Sequence, residues 1–356
     1  MNYLLLAPEL FSSEGGIPRI LRLYLKATCE LAHRDDKVRF VTLNDGAVGS
    51  EELRRYSTSS LFEWEACNRS KLRFVSAALR MARRSDRIIC GHLAQLPVAW
   101  MASKLRPGLS YYLVAHGIEV WRPYTLLERR ALRGARRIFC VSNFTRTQLL
   151  ARCPLPEEQS SVLYNALDPF IEERSAARPA EGGPIILSVS RLSVADNYKG
   201  IGHLISAMPA IRAEIPGARL RIIGRGDALP GLQAEASRLN LADGVEFAGY
   251  VSDHDLVAEF AACRLFALPS EKEGFGLVYL EAMANGRPCL GARSGGVPEV
   301  IDEDTGVLVD YGDVEGIGAA IVASIRKDWS LEALARRSHS FSYLRFKERL
   351  ASLLDI

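Results

Sequence analysis

Paired cysteines, long apolar runs and low-complexity tracts are all missing from this chain, and each absence removes a class of protein. The seven cysteines, Cys29, Cys67, Cys90, Cys140, Cys153, Cys263 and Cys289, are odd in number and never spaced Cys-x2-Cys. That argues against a disulfide framework and against a zinc ribbon. Cys90 and Cys140 sit in apolar, strand-like runs, so reduced core thiols are expected. The longest weakly apolar stretch, residues 316–325, is about half of what a bilayer span needs. Residues 1–6 lack a basic region and form too short an apolar run for a signal peptide. A cytoplasmic protein is expected, at most peripheral on the inner face of a membrane. Aromatic residues are scarce at 8%, whereas 48% apolar and 24% charged residues suit a soluble globular chain. A length of 356 residues suggests two domains of ordinary size.

Net charge is also small, +3, but it is unevenly spread. Residues 1–167 carry 25 Lys and Arg against 15 Asp and Glu, and the remainder 20 against 27. Arginines cluster at Arg80, Arg83, Arg84 and Arg87, and again at Arg129, Arg130, Arg133, Arg136 and Arg137. A basic half suits an anionic partner such as a membrane surface or a lipid diphosphate; the alternative is a set of solvated helix faces. No nucleic-acid-reading motif accompanies the charge, so nucleic acid is not expected as a partner.

Short β-branched runs alternate with helical spacing along the whole chain. Strands are expected at 3–7, 38–43, 87–90, 111–115, 137–141 and 162–164, with helices at 20–31, 71–83 and 126–132. After a polar Pro/Ala/Gly-rich segment, 172–184, strands are expected at 185–189, 220–223, 245–247, 264–268, 288–291 and 307–309. Successive βαβ units imply an α/β protein with two doubly wound parallel sheets, Rossmann-like domains facing across a cleft. Ligands of such sheets sit beyond the carboxyl ends of the strands. The domains read as 1–170 and 184–339, followed by a basic helical stretch at 340–356.

The densest chemistry lies at 268–286. An apolar run meets Pro269 and Ser270, and Glu273-Gly274-Phe275-Gly276-Leu277 then opens an amphipathic helix. Free N–H groups at a glycine-flanked helix start suit an anion. Glu273 at that tip and Glu281, about two turns on, are expected on roughly one face. One would address the reacting end of an anionic ligand and the other its far hydroxyls. Two glutamates at this spacing would ordinarily be a dipole complement and a solvated carboxylate, but the flanking residues decide otherwise. The run from Glu273 through Glu281-Ala282-Met283-Ala284 to Gly286 and Pro288, then Gly295-Gly296 and Pro298-Glu299, resembles the signature of the retaining GT-B glycosyltransferases. More narrowly it resembles family four, the glycosyl transferases group 1. The resemblance implies an N-terminal acceptor-binding domain, to which the last helix returns, and a C-terminal nucleotide-sugar-binding domain.

Other candidates also follow strand ends. Arg191 and Lys199 flank a loop that residues 193–196 lengthen relative to the family pattern. A guanidinium gripping two oxygens and an ammonium point charge together suit a diphosphate. Gly15 and Gly16 form a turn before a helix, and His116 ends the strand at 111–115. The resemblance implies that this turn closes on the donor and that His116 touches the transferred sugar. His92 also ends a strand and is a candidate for the acceptor side. Gly224 opens a Gly-x-Gly turn that resembles the one beneath the nucleotide, and Tyr250 and Val251 resemble the segment holding the base edge. The resemblance further implies Glu281 on the ribose hydroxyls. It puts Glu273 and the amides of Gly274, Phe275, Gly276 and Leu277 on the donor sugar and distal phosphate. Residues 117–124 are expected to line the acceptor side, where Tyr124 and Trp121 would suit a sugar face; a core position for Trp121 is the equal alternative.

Asp253-His254-Asp255 spells a metal motif, yet Ser252 and Asp253 suit a helix N-cap and first-turn charge. No metal is expected, and no cofactor beyond the nucleotide-diphosphate sugar, which is the donor substrate. The expected reaction is a retaining hexosyl transfer to a hydroxyl of a carbohydrate or lipid-linked oligosaccharide, in surface polysaccharide or glycolipid assembly. A sugar-nucleotide epimerase of the same fold and a non-catalytic nucleotide-sugar-binding subunit are the alternatives.

Overall fold

The structure is a computed structural model that describes residues 1–13, 15–175 and 183–355. It divides into two compact units, Met1–Asp168 with Tyr343–Ile356, and Pro169–Ser342. Of the segment 172–184 expected between domains, residues 176–182 lie outside the described residues.

The first unit holds seven parallel strands: β1 (Asn2–Ala7), β2 (Lys37–Thr42), β3 (Leu61–Ala66), β4 (Arg87–Cys90), β5 (Ser110–Ala115), β6 (Arg137–Cys140) and β7 (Ser160–Val162). Their order is β3-β2-β1-β4-β5-β6-β7. Side chains alternate across a strand, so Leu4 and Leu6 join one core and Tyr3 and Leu5 the other. The helices Lys71–Ala82, Leu96–Leu105 and Leu126–Gly134 cover the first core; Gly16–Leu31 and Tyr343–Leu354 cover the second. Burial on both faces is why the central strands read as continuous apolar runs.

The final helix is held by charge as well as packing. Tyr343 and Lys347 donate to Glu30 Oε2 at 3.0 and 2.8 Å, and Phe346 meets Tyr24 edge-on at 5.0 Å. Arg87 and Arg137 donate to the carbonyls of Leu354 and Leu353, and Arg136 pairs with Asp355 at 2.9 Å. Cations here answer the unsatisfied carbonyls and the negative end of the helix dipole. These three clustered arginines are therefore structural.

β3 departs from the expected strands, which omit it. Its Phe62 and Trp64 are exposed, while Glu63 pairs with Arg39 and Arg80, and Glu65 with Arg73 and Arg80. An edge strand need not be buried on both faces, so it shows no apolar run. β7 also ends two residues earlier than expected, and the helix of the 340–356 stretch is Tyr343–Leu354, starting three residues later than expected.

The second unit holds six parallel strands: β8 (Ile185–Val189), β9 (Arg219–Ile223), β10 (Val245–Gly249), β11 (Leu265–Leu268), β12 (Cys289–Ala292) and β13 (Gly306–Val309). Their order, β10-β9-β8-β11-β12-β13, reverses between β8 and β11. Those two strands keep register only at Ile186↔Leu265 and Leu187↔Phe266, so their carboxyl ends diverge. That is the switch point at which an open α/β sheet takes its ligands. All seven cysteines are buried and unpaired. No helix among the described residues is long and apolar enough to cross a membrane.

Candidate functional site

Arg191 and Lys199 lie on the loop after β8, and Glu273 on the loop after β11, the two sides of the second unit's switch point. Lys199 Nζ donates to Glu273 Oε2 at 2.7 Å, with side chains 17% and 18% exposed. The loops are fastened together. Glu271 N–H donates to Tyr198 O at 2.8 Å. Gly200 has φ 76°, and a Cβ there would lie 2.4 Å from Pro269 O. Glu273 is seated from below: its carbonyl accepts from Gly296 N–H at 2.8 Å, and a Cβ on Gly295 would stand 2.2 Å from that same oxygen. Gly295 and Gly296 thus have a physical reason, to let the Glu273 backbone approach.

Arg191 reaches into solvent at 70% side-chain exposure, with one guanidinium nitrogen 3.1 Å from Asp196 Oδ2. Beneath it, a Cβ on Gly224 would meet Ser190 O at 1.8 Å and one on Gly226 would meet Leu192 O at 2.0 Å. The Gly-x-Gly turn therefore lets backbone pack under the Arg191 loop. Tyr250 is about half exposed, with the Arg225 guanidinium 5.1 Å from its ring, and Val251 is half-buried.

The two glutamates do not share a helix face. The helix is Leu277–Ala284, and Gly276 at φ 100° breaks the backbone before it, so Glu273 sits in the preceding loop. Glu281 is within the helix and 2% exposed. Phe275 is buried against Phe341 at 5.4 Å, leaving Gly274, Gly276 and Leu277 to present backbone at the helix start. Ser252 caps the helix Asp253–Ala262, accepting from Asp255 N–H, and the Asp255 carboxylate takes the Ser252 hydroxyl at 2.7 Å. The Asp253 side chain lies outside the description. Among the described residues no group of three or more His, Cys, Asp or Glu is placed to hold a metal ion.

In the first unit, Gly15 precedes the helix Gly16–Leu31 as its N-cap. The loop leading to it hangs on Asp45, fully buried, which accepts from Leu10, Phe11 and Ser12 N–H at 2.9, 3.2 and 2.8 Å. His116, just after β5, has Nε2 2.8 Å from Gly91 O, after β4. A carbonyl can only accept, so Nε2 carries the proton. Burial pushes this imidazole down to about 4. Glu119 accepts from His116 N–H at 2.5 Å; burial raises its carboxyl, and burial lowers the nearby His92 imidazole. His92 Nδ1 accepts from Ala94 N–H at 3.1 Å and caps a short helical turn.

Residues 117–124 do not present aromatic faces as expected. Trp121 packs on the core and edge-on against Phe144 at 5.2 Å, and Tyr124 is buried with its hydroxyl on Val120 O. Asp45, Asp196 and Tyr198 receive no role from sequence reasoning. Of these, only Asp45, in an Asn-Asp-Gly turn signal, leaves a local trace.

Two doubly wound parallel sheets with cations at a switch point define a GT-B protein. The fold is shared with HepE of Anabaena in complex with UDP, at TM-score 0.80, 22% identity and full coverage of both chains. Sucrose-phosphate synthase of Thermosynechococcus elongatus gives 0.78 at 21% identity, covering 100% and 98%. The model of glycosyl transferases group 1 matches residues 183–327, and that of glycosyltransferase family 4 matches 23–169. The chain belongs to this glycosyltransferase family. It is 33% identical over 249 residues to the GDP-mannose-dependent alpha-(1-6)-phosphatidylinositol monomannoside mannosyltransferase of Mycolicibacterium smegmatis, covering 64% of each chain. It is 34% identical over 207 residues to the N-acetyl-alpha-D-glucosaminyl L-malate synthase of Bacillus anthracis, covering 55% of this chain and 52% of that one. The chain thus spans less than two thirds of the length of these curated relatives.

The buried imidazole sets a pH dependence. His116 is neutral when folded and titrates near 6.5 when unfolded, so the unfolded chain takes up its proton first on acidification. Stability present above pH 6.5 is lost as pH falls toward 4, by about 2–3 kcal/mol at pH 4.5. Urea unfolding at pH 7 and 4.5 should show that much less acid loss in His116→Asn than in the parent protein; equal losses would contradict the assignment.

Proposed function

We propose that this chain moves a hexose from a nucleoside-diphosphate sugar to an acceptor hydroxyl, retaining the anomeric configuration and using no catalytic metal. The observation that carries the proposal is the Lys199–Glu273 pair beside Arg191 at the β8/β11 switch point. Charge develops on the distal phosphate as the glycosidic bond breaks, and fixed donors aimed at it lower the barrier. Lys199 passes from the Glu273 carboxylate to that phosphate, Arg191 grips it, and the backbone from Gly274 to Leu277 adds N–H groups. Glu273, released, accepts from donor-sugar hydroxyls.

The sugar becomes oxocarbenium-like. Its bond to the phosphate oxygen breaks, the acceptor oxygen bonds the anomeric carbon on the same face, and the departing phosphate takes the acceptor proton. Neutral His116 bonds a sugar hydroxyl without adding charge. Glu281 takes the ribose diol; Gly224, Tyr250 and Val251 border the base, and Gly15 and Gly16 the donor phosphates.

A lipid-linked acceptor is favoured by two things. A relative's name specifies a phosphatidylinositol mannoside. In addition, the exposed Leu72, Leu105 and Leu126 lie on the three helices that share one face of the first sheet. Exposed Arg83, Arg84, Arg130 and Arg133 accompany them, a pattern suited to anionic headgroups.

Incubation with GDP-α-mannose or UDP-α-glucose and a phosphatidylinositol mannoside, in EDTA, should give an α-linked product by anomeric NMR; a β linkage would rule out the retaining course. On sucrose-gradient flotation the protein should rise with phosphatidylserine vesicles at low salt and not at 0.5 M salt, roughly beyond the reach of headgroup attraction. Failure to rise at low salt removes the membrane part.

A further inference from the structure

The loop residues 193–196, which lengthen the segment between Arg191 and Lys199, carry a side chain that the donor reading leaves unused. Asp196 is 9% exposed. Its carboxylate accepts from Arg191 at 3.1 Å through Oδ2 and from the Tyr198 hydroxyl at 2.8 Å through Oδ1. We propose that Asp196, held by Tyr198, is a positioning residue that aims the Arg191 guanidinium at the distal phosphates of a nucleoside diphosphate.

The loop is built to hold this carboxylate still. Ser193 caps the short helical turn Val194–Lys199. Val194 N–H is anchored on Asp227 at 2.8 Å, and Asp196 N–H on Ser193 O at 2.9 Å. Tyr198 is fixed at both ends. Its backbone oxygen takes Glu271 N–H at 2.8 Å, and the ammonium groups of Lys199 and Lys272 lie 5.5 and 5.7 Å from its ring centre. Arg191 is the opposite case, long, 70% exposed and in need of orientation.

Two effects of Asp196 oppose each other. Its charge weakens the positive field that draws phosphate, but the Arg191 guanidinium it meets is 70% exposed, so solvent screens that effect and keeps it small. Its grip removes the rotamer freedom that Arg191 would otherwise lose on binding, an effect of about tenfold in affinity. Orientation wins, so the carboxylate aids binding despite its sign.

The inference rests on the donor reading of this site, and a double-mutant cycle separates the two. UDP and GDP are titrated calorimetrically into the full chain carrying Asp196→Asn, Arg191→Ala, both, or neither. Asp196→Asn should weaken the better-bound nucleotide by about tenfold with Arg191 present and leave affinity about unchanged in the Arg191→Ala background. Tyr198→Phe, which removes one hydroxyl, should act in the same direction and also depend on Arg191; it keeps the test alive if the Asn variant fails to fold. Equal losses in both backgrounds would overturn the positioning role while leaving the donor site standing, as would tighter binding by Asp196→Asn. An Arg191→Ala variant of unchanged affinity would overturn both.

Discussion

One ion pair organises the second unit. Lys199 and Glu273 come from loops 74 residues apart in sequence and meet at 2.7 Å, each with less than a fifth of its side chain in water. A pair this sheltered is screened less than a surface one, and removing one partner strands a charge. Keeping it in place requires close backbone approach at the two loops, which is why glycine stands at Gly200 and Gly295. In the proposed function, the ammonium and the carboxylate satisfy one another until a diphosphate and a polyol claim each separately.

The basic character of the first half has two components. Arg87, Arg136 and Arg137 close the carboxyl end of the helix Tyr343–Leu354, and Arg80 is occupied by Glu63 and Glu65. Net charge therefore overstates what remains for a partner. The residual cations lie on, or just past the end of, helices whose outward positions also carry leucine, and it is this combination, not the count, that suits a lipid surface.

Strand positions were readable because central strands of a parallel sheet are buried on both faces and leave apolar runs. β3 was not, since its Phe62-Glu63-Trp64-Glu65 alternation is that of an edge. The Glu273 block was readable for its glycines, but extending a helical period back through Gly276 placed both glutamates on one face, and the left-handed backbone at Gly276 forbids that. Asp45 and Asp196 were hidden for a different reason. A buried acid looks like a surface acid in sequence, and what identifies it here is a partner: backbone N–H groups from residues 10–12 for Asp45, an arginine and a tyrosine for Asp196. Trp121 takes the core position that was one of its two expected readings.

The claim beneath all of this is that the cations on the loop after β8, at the β8/β11 switch point, exist to receive a diphosphate. A crystal structure with UDP or GDP bound tests it most directly. The account predicts the distal phosphate within hydrogen-bonding reach of both Lys199 Nζ and the Arg191 guanidinium, with Lys199 drawn off Glu273. A nucleotide bound elsewhere, with the Lys199–Glu273 contact intact, would contradict it.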